Sequence, residues 1–416
     1  MMMAHTVQPT GNPSAVVIGG GPVGSYAALN LAKLGITTAV FEEHTQVGLP
    51  SHCAGHISIR SLKSLGYYPL PNGIVQNTFT AANFYSPTGT RFSVHLAQPV
   101  TCTLDRERFD QLLAKQAEQA GASYNFNSHV QSLIIEGRAV KGIAVQRSRG
   151  TQEKISSNIV VDAEGISSRL LRQAGLRALR TEGLVYAVEA EVENVKDVES
   201  DAVEVYLGRD YAPGFYGWLI PKPDGSAKLG LAADHGNPNH YLKQLMTKHP
   251  LASKQLANAK ISKVSYHAIT LGGPIERAYA DGFLAVGDCA SQVKPTTGGG
   301  VIFGMTCAKI AAETAKQALD AGDVSSQFLQ VYQKRFIDLL RFDFAVMLRL
   351  RRFLNVLSDE KIDELLRFCG RLGVDRALGG VNEIDFQGKM MLQALGKPQM
   401  LAALAYFALL YLSANP

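Results

Sequence analysis

The sequence has few cysteines and no long hydrophobic run, and each scarcity excludes a class of protein. The five cysteines form no CxxC pair and no metal-ligand spacing, so we predict a reducing compartment and no metal site. The longest apolar run, residues 400–414, is shorter than the roughly 20 residues that cross a bilayer. This segment could lie on a membrane but not span one.

The excess of positive over negative charge is also small. The formal net charge is only +5, and we find no basic stripe or reader motif, so we predict no nucleic-acid binding. Anionic small molecules or an anionic membrane surface are the expected partners. The polar residues 1–14 lack the apolar core of a signal peptide, and we therefore expect a flexible tail on a cytoplasmic protein.

The first structured segment has the pattern of a β-α-β unit. Residues 15–18 form a short apolar run typical of a buried strand, and a helical run over 25–34 ends at Gly35. A second strand is predicted at 37–41. The loop between the first strand and the helix, Gly19-Gly20-Gly21-Pro22-Val23-Gly24, has the spacing of a dinucleotide-binding fingerprint.

Each residue type in this unit suits a dinucleotide. Gly19 permits the tight turn, Gly21 lets the backbone approach the pyrophosphate, and Gly24 lets helix and strand pack closely. The helix N-terminus faces the negative phosphates, and Ser25 is expected to add a hydroxyl there. Glu42 ends the second strand, where a carboxylate can accept hydrogen bonds from the adenosine ribose; its position favours this role over that of a solvated loop residue.

The remaining chain alternates strands and helices. A hairpin over 78–94, centred on Pro87-Thr88-Gly89, is predicted to interrupt the dinucleotide fold. Further predicted elements are a helix at 106–120, strands at 130–135, 140–146 and 159–162, an antiparallel region from 185 to 232, a strand at 282–286, and helices at 299–319 and 327–357.

A late strand ends in Gly287-Asp288. Following an early glycine loop, this pair resembles the second FAD box of the para-hydroxybenzoate hydroxylase superfamily, which implies that the dinucleotide is FAD and that Asp288 binds its ribityl chain. A turn then opens a helix at Gly298-Gly299-Gly300-Val301. Consecutive glycines favour close approach of the backbone to a flat group, so we expect this turn beside the flavin; a capped loop is the alternative.

The same superfamily resemblance involves two further segments. Residues 104–110 begin a helix with Arg106, which by resemblance reaches the cofactor, and the strand at Val130 offers backbone groups to the adenine. Residues 162–169 match as well, but they carry Glu164-Gly165 where Asp-Gly is usual.

These motifs predict a mixed α/β fold. It comprises a Rossmann-like FAD-binding domain, an inserted antiparallel-sheet substrate domain and a C-terminal helical region. The predicted boundaries are 15–77, 101–180 and 272–325 for the discontinuous FAD-binding domain, 78–100 and 181–271 for the substrate domain, and 326–416 for the helical region.

Three stretches narrow the resemblance to the geranylgeranyl reductase family over residues 15–350. They are Cys53-Ala54-Gly55-His56-Ile57-Ser58, Tyr216-Gly217-Trp218-Leu219-Ile220-Pro221 and 294–301. The chain looks most like the archaeal branch that saturates digeranylgeranylglycerol phospholipids. The resemblance implies that Cys53 and Ala54 lie at the flavin ring, and that Tyr216, Trp218 and Pro221 line a lipid tunnel.

Some residues depart from the family pattern or allow a plainer interpretation. Ala54 stands where a glycine is usual, Ile220 replaces a phenylalanine and Ala232 replaces a glycine. Trp218 as a core residue and Cys53 as a small buried hydrophobe remain alternatives.

The family resemblance implies an FAD-dependent reductase that saturates C=C bonds of geranylgeranyl chains with a hydride from flavin N5 and a proton. Candidate proton donors are Cys53, His52, His56 and Tyr216, and a structural role for any histidine is an alternative. NAD(P)H or ferredoxin would supply the electrons. The alternatives in function are an aromatic-ring monooxygenase of the same fold, a geranylgeranyl diphosphate or chlorophyll-type prenyl reductase, and a non-catalytic FAD-stabilised lipid carrier.

A prenylated lipid substrate implies contact with a membrane. Residues 334–352 carry six basic side chains against two acidic ones, a composition typical of helices that rest on anionic lipid. With the apolar run at 400–414, this helix predicts peripheral attachment at the inner face of the membrane. A solvated charged face that packs on the core is the alternative.

Overall fold

The computed structural model describes residues 12–147, 150–380 and 383–414. Most of the predicted tail at 1–14 therefore lies outside the described residues. The strands are β1 (Ala15–Ile18), β2 (Thr38–Phe41), β3 (His56–Ser58), β4 (Val75–Phe79), β5 (Ala81–Tyr85), β6 (Arg91–His95), β7 (Thr101–Leu104), β8 (Ser123–Asn125), β9 (Ser128–Glu136), β10 (Ala139–Arg147), β11 (Gln152–Ser156), β12 (Ile159–Asp162), β13 (Leu184–Glu193), β14 (Ala202–Tyr206), β15 (Gly217–Pro221), β16 (Ala227–Ala233), β17 (Lys260–Thr270), β18 (Tyr279–Ala280) and β19 (Phe283–Ala285). The helices are α1 (Pro22–Lys33), α2 (Ile59–Ser64), α3 (Arg106–Gln119), α4 (Leu170–Gln173), α5 (Pro238–Lys248), α6 (Ala252–Gln255), α7 (Val301–Ala321), α8 (Ser326–Val356), α9 (Asp359–Leu372), α10 (Val374–Leu378), α11 (Gln387–Ala394) and α12 (Pro398–Ala414).

A six-stranded sheet in the order β18-β19-β12-β1-β2-β8 carries the β-α-β unit. All its neighbours pair in parallel except β18 with β19. Every residue of β1 and β12 is buried, as expected of parallel strands covered on both faces. The predicted β-α-β unit is confirmed, but its helix begins at Pro22, because proline suits the first helical turn.

A seven-stranded sheet in the order β17-β13-β16-β15-β14-β5-β6 forms the second layer. The predicted hairpin is formed by β5 and β6, and it joins this sheet because β5 pairs in parallel with β14. The strand β17 was not predicted, since its exposed first half shows no alternation of buried and exposed residues. Two three-stranded sheets, β11-β10-β9 and β3-β7-β4, complete the strand pairing.

The C-terminal helices cover the hairpin end of the second sheet. Helix α8 packs on α7 and α11, α9 and α10 pack on β6, and α12 packs on α9 and α10. A hydrophobic cluster joins Phe92 of β6 to Phe353 and Leu357 at the end of α8 and to Leu365 of α9. The predicted fold class, with its C-terminal helical region, is confirmed, while the exact domain boundaries stay a prediction.

The predicted apolar run forms the 17-residue helix α12. Within the described ranges, no helix has both the length and the apolar character that crossing a bilayer requires.

The close approach of β1 and α1 gives a test of the fold. A Cβ on Gly24 would lie 2.0 Å from the carbonyl oxygen of Gly19. Although alanine is the better helix former, we expect Gly24→Ala to lower the free energy of unfolding by about 1–3 kcal/mol, the usual cost of overpacking. Urea unfolding measures this change.

A matched control is Gly370→Ala in α9, where a Cβ would have no neighbour within 4 Å. This variant should be neutral or slightly stabilised. If Gly24→Ala unfolded at the same urea concentration as Gly370→Ala, the proposed contact between the loop and the helix would be wrong.

Candidate active site

A cavity of about 970 Å³ is lined by residues of both large sheets. One part of its wall consists of glycine-rich and polar segments: the phosphate loop at residues 19–24, the cysteine loop at 48–56 and the glycine turn at 298–300. The other part consists of apolar side chains from the hairpin and the C-terminal helices. The cavity therefore combines a polar end with an apolar end.

The phosphate loop is shaped by contacts that only glycine permits. Gly19 has a φ of +87°, and a Cβ there would lie 2.5 Å from the carbonyl oxygen of Ala163. Gly21 lines the cavity, and its Cβ would have no atom within 4 Å. Its bare backbone thus leaves space at the N-terminus of α1, where the helix dipole favours an anion.

Glu42 lies at the end of β2 and is only 8% exposed. One carboxylate oxygen accepts a hydrogen bond from the backbone N–H of Gly20 at 2.7 Å, and the other accepts one from the N–H of His44 at 3.0 Å. Glu42 also lines the cavity. It is therefore no solvated loop residue, and it fixes the phosphate loop; its contact with a ribose stays a prediction.

Ser25 differs from the expectation. Its side chain is fully buried and does not line the cavity. The hydroxyl donates to the carbonyl oxygen of Gly20 at 2.7 Å and accepts from the hydroxyl of Tyr124 at 2.8 Å. We therefore correct the sequence prediction: Ser25 stabilises the loop from behind rather than offering a donor to a phosphate.

Arg106 and Val130 both line the cavity. The guanidinium of Arg106 donates two hydrogen bonds to the Asp110 carboxylate, at 3.0 and 2.9 Å. Burial disfavours the charged form of Arg106, but Asp110 and Cys53 outweigh it and raise its pKa. The carbonyl oxygen of Val130 accepts a hydrogen bond from Arg169 at 3.4 Å, so part of this predicted adenine contact is already engaged within the protein.

Asp288 lies in the short turn after β19 and lines the cavity. None of the described residues donates a hydrogen bond to its carboxylate. Burial raises the pKa of Asp288, while His267 and Arg106 act in the opposite direction. An enclosed carboxylate needs a donor, which the hydroxyls of a ribityl chain can supply, so Asp288 fits the predicted role.

Each of the three glycines in the glycine turn is required for its own structural reason. Gly298 has a φ of +70°. A Cβ on Gly299 would lie 2.5 Å from Cε of Lys294, and one on Gly300 would lie 2.7 Å from Oδ1 of Asp288. Two of the three therefore make room for side chains of the protein itself, and Val301 then begins α7 with its N-terminus at the cavity.

The cysteine loop brings Cys53, Ala54 and His56 to the same cavity. The sulfur of Cys53 accepts a hydrogen bond from the N–H of Gly55 at 3.4 Å. His56 is exposed by surface area because it borders the open cavity. Enclosure of its ring by the surrounding protein, reinforced by Lys294 and opposed by Asp385, nevertheless lowers the pKa of His56 to about 4, so its ring is neutral near pH 7. His52 also lines the cavity and stacks on His267, with 6.1 Å between the ring centroids.

The segment Tyr216 to Pro221 is divided between cavity and core. The Tyr216 hydroxyl donates to the carbonyl oxygen of Thr297 at 3.0 Å, and burial raises its pKa. The Trp218 ring lies over Gly230, whose Cβ would be 2.5 Å from it. Tyr216 and Trp218 line the cavity, but Pro221 is buried and does not; its predicted place in a tunnel wall is wrong, because it ends β15 beyond the cavity.

Sequence reasoning missed most of the apolar wall. Alternation in β5 predicted a hairpin but not its partner, and nothing in the amphipathic C-terminal helices indicates which surface they cover. We call the following side chains the apolar wall: Phe84, Phe92, Val94, Val203, Val205, Leu207, Leu350, Leu354, Leu365, Leu366, Leu378 and Phe407.

The polar end of the cavity fits FAD. Open space at Gly21 faces a helix N-terminus, and the unpartnered carboxylate of Asp288 faces the same cavity. Cys53, Ala54 and the glycine turn complete its lining.

Comparison with known proteins agrees with this geometry. Residues 13–334 match the FAD binding domain family. Digeranylgeranylglycerophospholipid reductase 2 of Methanothermobacter thermautotrophicus is 35% identical over 85% of this chain and 90% of its own length. A second relative with that name, from Methanopyrus kandleri, is 32% identical over 93% of this chain and 97% of its own.

A solved structure shows the same similarity in three dimensions. The geranylgeranyl bacteriochlorophyll reductase-like protein of Thermoplasma acidophilum superposes with a TM-score of 0.83 at 25% identity, covering 95% of this chain and 99% of that protein. The chain therefore belongs to the family of FAD-binding proteins that includes the digeranylgeranylglycerophospholipid reductases.

Proposed function

We propose that this protein is an FAD-dependent reductase that saturates C=C bonds of geranylgeranyl chains in membrane lipid precursors. The observation that carries the proposal is the continuity of the FAD-type cradle with the apolar wall in one cavity. The names of relatives that match most of the chain support the same substrate class.

The apolar wall suits a flexible prenyl chain. Side chains of the hairpin meet those of α8, α9 and α12 around the cavity, so a chain bound there exchanges water for apolar contacts along this wall. Fixing such a chain in one orientation lowers the entropic cost of the reaction. An isolated alkene has no polar group by which the protein could orient it, so the apolar wall must fix its position.

Reduced FAD, when bound, supplies the hydride, and the protein must supply a proton to the other alkene carbon. The neutral ring of His56 holds no imidazolium proton near pH 7, and the Tyr216 proton is engaged with the carbonyl oxygen of Thr297. The Cys53 thiol faces the cavity and donates no hydrogen bond to any residue that the structure describes. Burial, His267 and Lys263 lower the pKa of His52, so its ring is also neutral near pH 7. The Cys53 thiol is the remaining candidate, and we infer that Cys53 is the immediate proton donor.

The proposal includes an electron donor and a membrane surface. NAD(P)H or ferredoxin would reduce the bound FAD. Helix α12 contains no charged residue, and its Leu401 and Leu409 are 55% and 64% exposed. Because Phe407 of the same helix lines the cavity, docking of α12 on the inner face of a membrane would bring the lipid chain next to the apolar wall.

The predicted basic face of α8 contributes less to this docking. Arg351 lies over the ring of Phe215 at 6.0 Å, and Arg335 pairs with Glu313. Asp343 of the same helix is buried and accepts hydrogen bonds from two backbone N–H groups of α11. These contacts favour packing on the protein over contact with lipid.

Cofactor binding is tested with Gly21→Val and Asp288→Ala. The first fills the open space at the phosphate loop, and the second removes an acceptor for a ligand hydroxyl. Hydrogen bonds to charged groups are worth about 1.5–3 kcal/mol, so we expect FAD to bind Asp288→Ala roughly 10- to 100-fold more weakly. Flavin absorbance per mole of protein measures retention, Gly370→Ala is the control, and full retention in both variants would refute the site.

Turnover is tested anaerobically with dithionite-reduced protein and a geranylgeranylated phospholipid. Mass spectrometry should show two added hydrogens per saturated bond. Leu354→Gln places an amide in the apolar wall, which costs about 1–3 kcal/mol, and should slow saturation roughly tenfold at unchanged FAD content. Absence of saturation in the unmodified protein, or oxygen-dependent hydroxylation, would exclude the reductase.

Membrane docking is tested with Leu401→Glu and Leu409→Glu. Burial of a leucine side chain is worth roughly 1.5–3 kcal/mol, so each variant should sediment with anionic phosphatidylglycerol vesicles at least about tenfold less. Ile135→Glu changes an exposed apolar residue of β9 and should sediment like the unmodified protein. Equal sedimentation of all four proteins would contradict docking through α12.

A further inference from the structure

A second pocket of about 180 Å³ lies behind the cysteine loop. We call it the polar pocket, since most of its lining side chains are charged or polar. It shares a wall with the main cavity, because Leu49, Ser51, Cys53, Arg106, Glu189 and Ser265 line both. The residues that line only the polar pocket are Gln76, Asp105, Glu107, Glu191, Lys228 and Lys263.

Lys228 is the buried charge of this pocket and is only 6% exposed. It lies on β16 opposite Glu191 of β13, and its Nζ is 4.0 Å from that carboxylate. The same Nζ donates to the carbonyl oxygen of Cys53 at 3.3 Å. A buried ammonium requires such partners, and these contacts tie the seven-stranded sheet to the cysteine loop.

Glu189 occupies the wall between the two spaces. Its carboxylate accepts a hydrogen bond from Nε1 of Trp218 at 3.2 Å. Burial raises the pKa of Glu189, whereas Lys228 and Trp218 lower it. The other charged groups around it are Glu191 on its own strand, Lys222 after β15, Lys263 on β17 and Arg106 on α3.

The polar pocket also contains a buried hydrogen-bond acceptor without a partner among the described residues. Oε1 of Gln76 is buried and has no partner among the described residues, and Gln76 lines this pocket. Buried polar atoms of this kind are normally satisfied by ordered water, which a polar space of this size can hold. Water in the pocket would reach Glu189 without passing through the apolar wall.

We propose that the proton consumed by each saturation enters through the polar pocket and passes through Glu189 into the main cavity, with Lys228 as a positioning residue. The inference rests on the proposed reductase function. One alkene carbon receives a hydride with its electron pair, and the π electrons bond the other carbon to a proton. The immediate donor recovers that proton from Glu189, and water in the polar pocket reprotonates Glu189.

The first test needs no turnover. Trp218 is the only tryptophan, so holoprotein labelled with 15N-tryptophan gives a single indole N–H signal in NMR. We expect this signal to titrate with a midpoint above the ordinary glutamate range. The titration should vanish in Glu189→Gln, move to higher pH in Lys228→Met, because Lys228 lowers the pKa of Glu189, and stay unchanged in Glu193→Gln, an exposed carboxylate on the same strand.

The proposal is overturned if the indole signal does not change with pH while the protein stays folded. It is also overturned if the signal titrates in Glu189→Gln as it does in the unmodified protein.

The second test is the pH profile of saturation at equal FAD content. The protonated form of Glu189 transfers the proton, so the rate should fall as pH rises through its pKa. Proton transfer by a positioned group contributes roughly 10²- to 10⁴-fold, so Glu189→Gln should be slower by at least about 10²-fold and lack this limb. Glu193→Gln should keep both rate and profile.

The two proposals fail separately. Unmodified rate and profile in Glu189→Gln would overturn the relay and leave the reductase standing. If the unmodified protein saturated no lipid, the reductase function would be excluded. The indole titration would still show whether Glu189 takes up and releases a proton.

Discussion

The buried ion pair between Lys294 and Asp385 joins two parts of the chain that form different sections of the cavity wall, the glycine turn and the C-terminal segment. The two side chains are 12% and 2% exposed, and breaking such a pair by removing one partner typically costs about 3–5 kcal/mol. Asp385 also accepts a hydrogen bond from Ser61, while the stem of Lys294 lies against Gly299. The C-terminal segment is thus fixed to the glycine turn, and the apolar wall depends on where that segment lies.

The parts of the fold that follow local rules could be predicted from the sequence. The apolar run of β1, the glycine loop and the proline at the start of α1 each act within a few residues, so their pattern is visible in the chain. Asp288 follows a strand that returns to the first sheet, whereas its contact with a ribityl chain stays a prediction. The end of that strand lies beside the phosphate loop, so Asp288 lines the same cavity.

Features that depend on distant partners could not be predicted. Ser25 points inward because Tyr124, far along the chain, fills the space behind the loop. Pro221 leaves the wall because β15 continues past the cavity. Glu189 and Lys228 read as ordinary strand residues, and only the pairing of β13 with β16 brings their charges together behind Cys53. The contribution of α8, α9 and α12 to the wall likewise depends on packing alone.

Trp218 lies between apolar side chains of the main cavity and the Glu189 carboxylate, and it contacts both. Its ring packs with Ala54, Phe79 and Ile220 in one hydrophobic cluster and with Ala232 in another. Its indole N–H donates a hydrogen bond to the Glu189 carboxylate, as expected of a side chain with an apolar body and one polar atom. Phenylalanine at this position would leave the carboxylate without that donor. A single aromatic residue can therefore border a prenyl chain on one side and a proton route on the other.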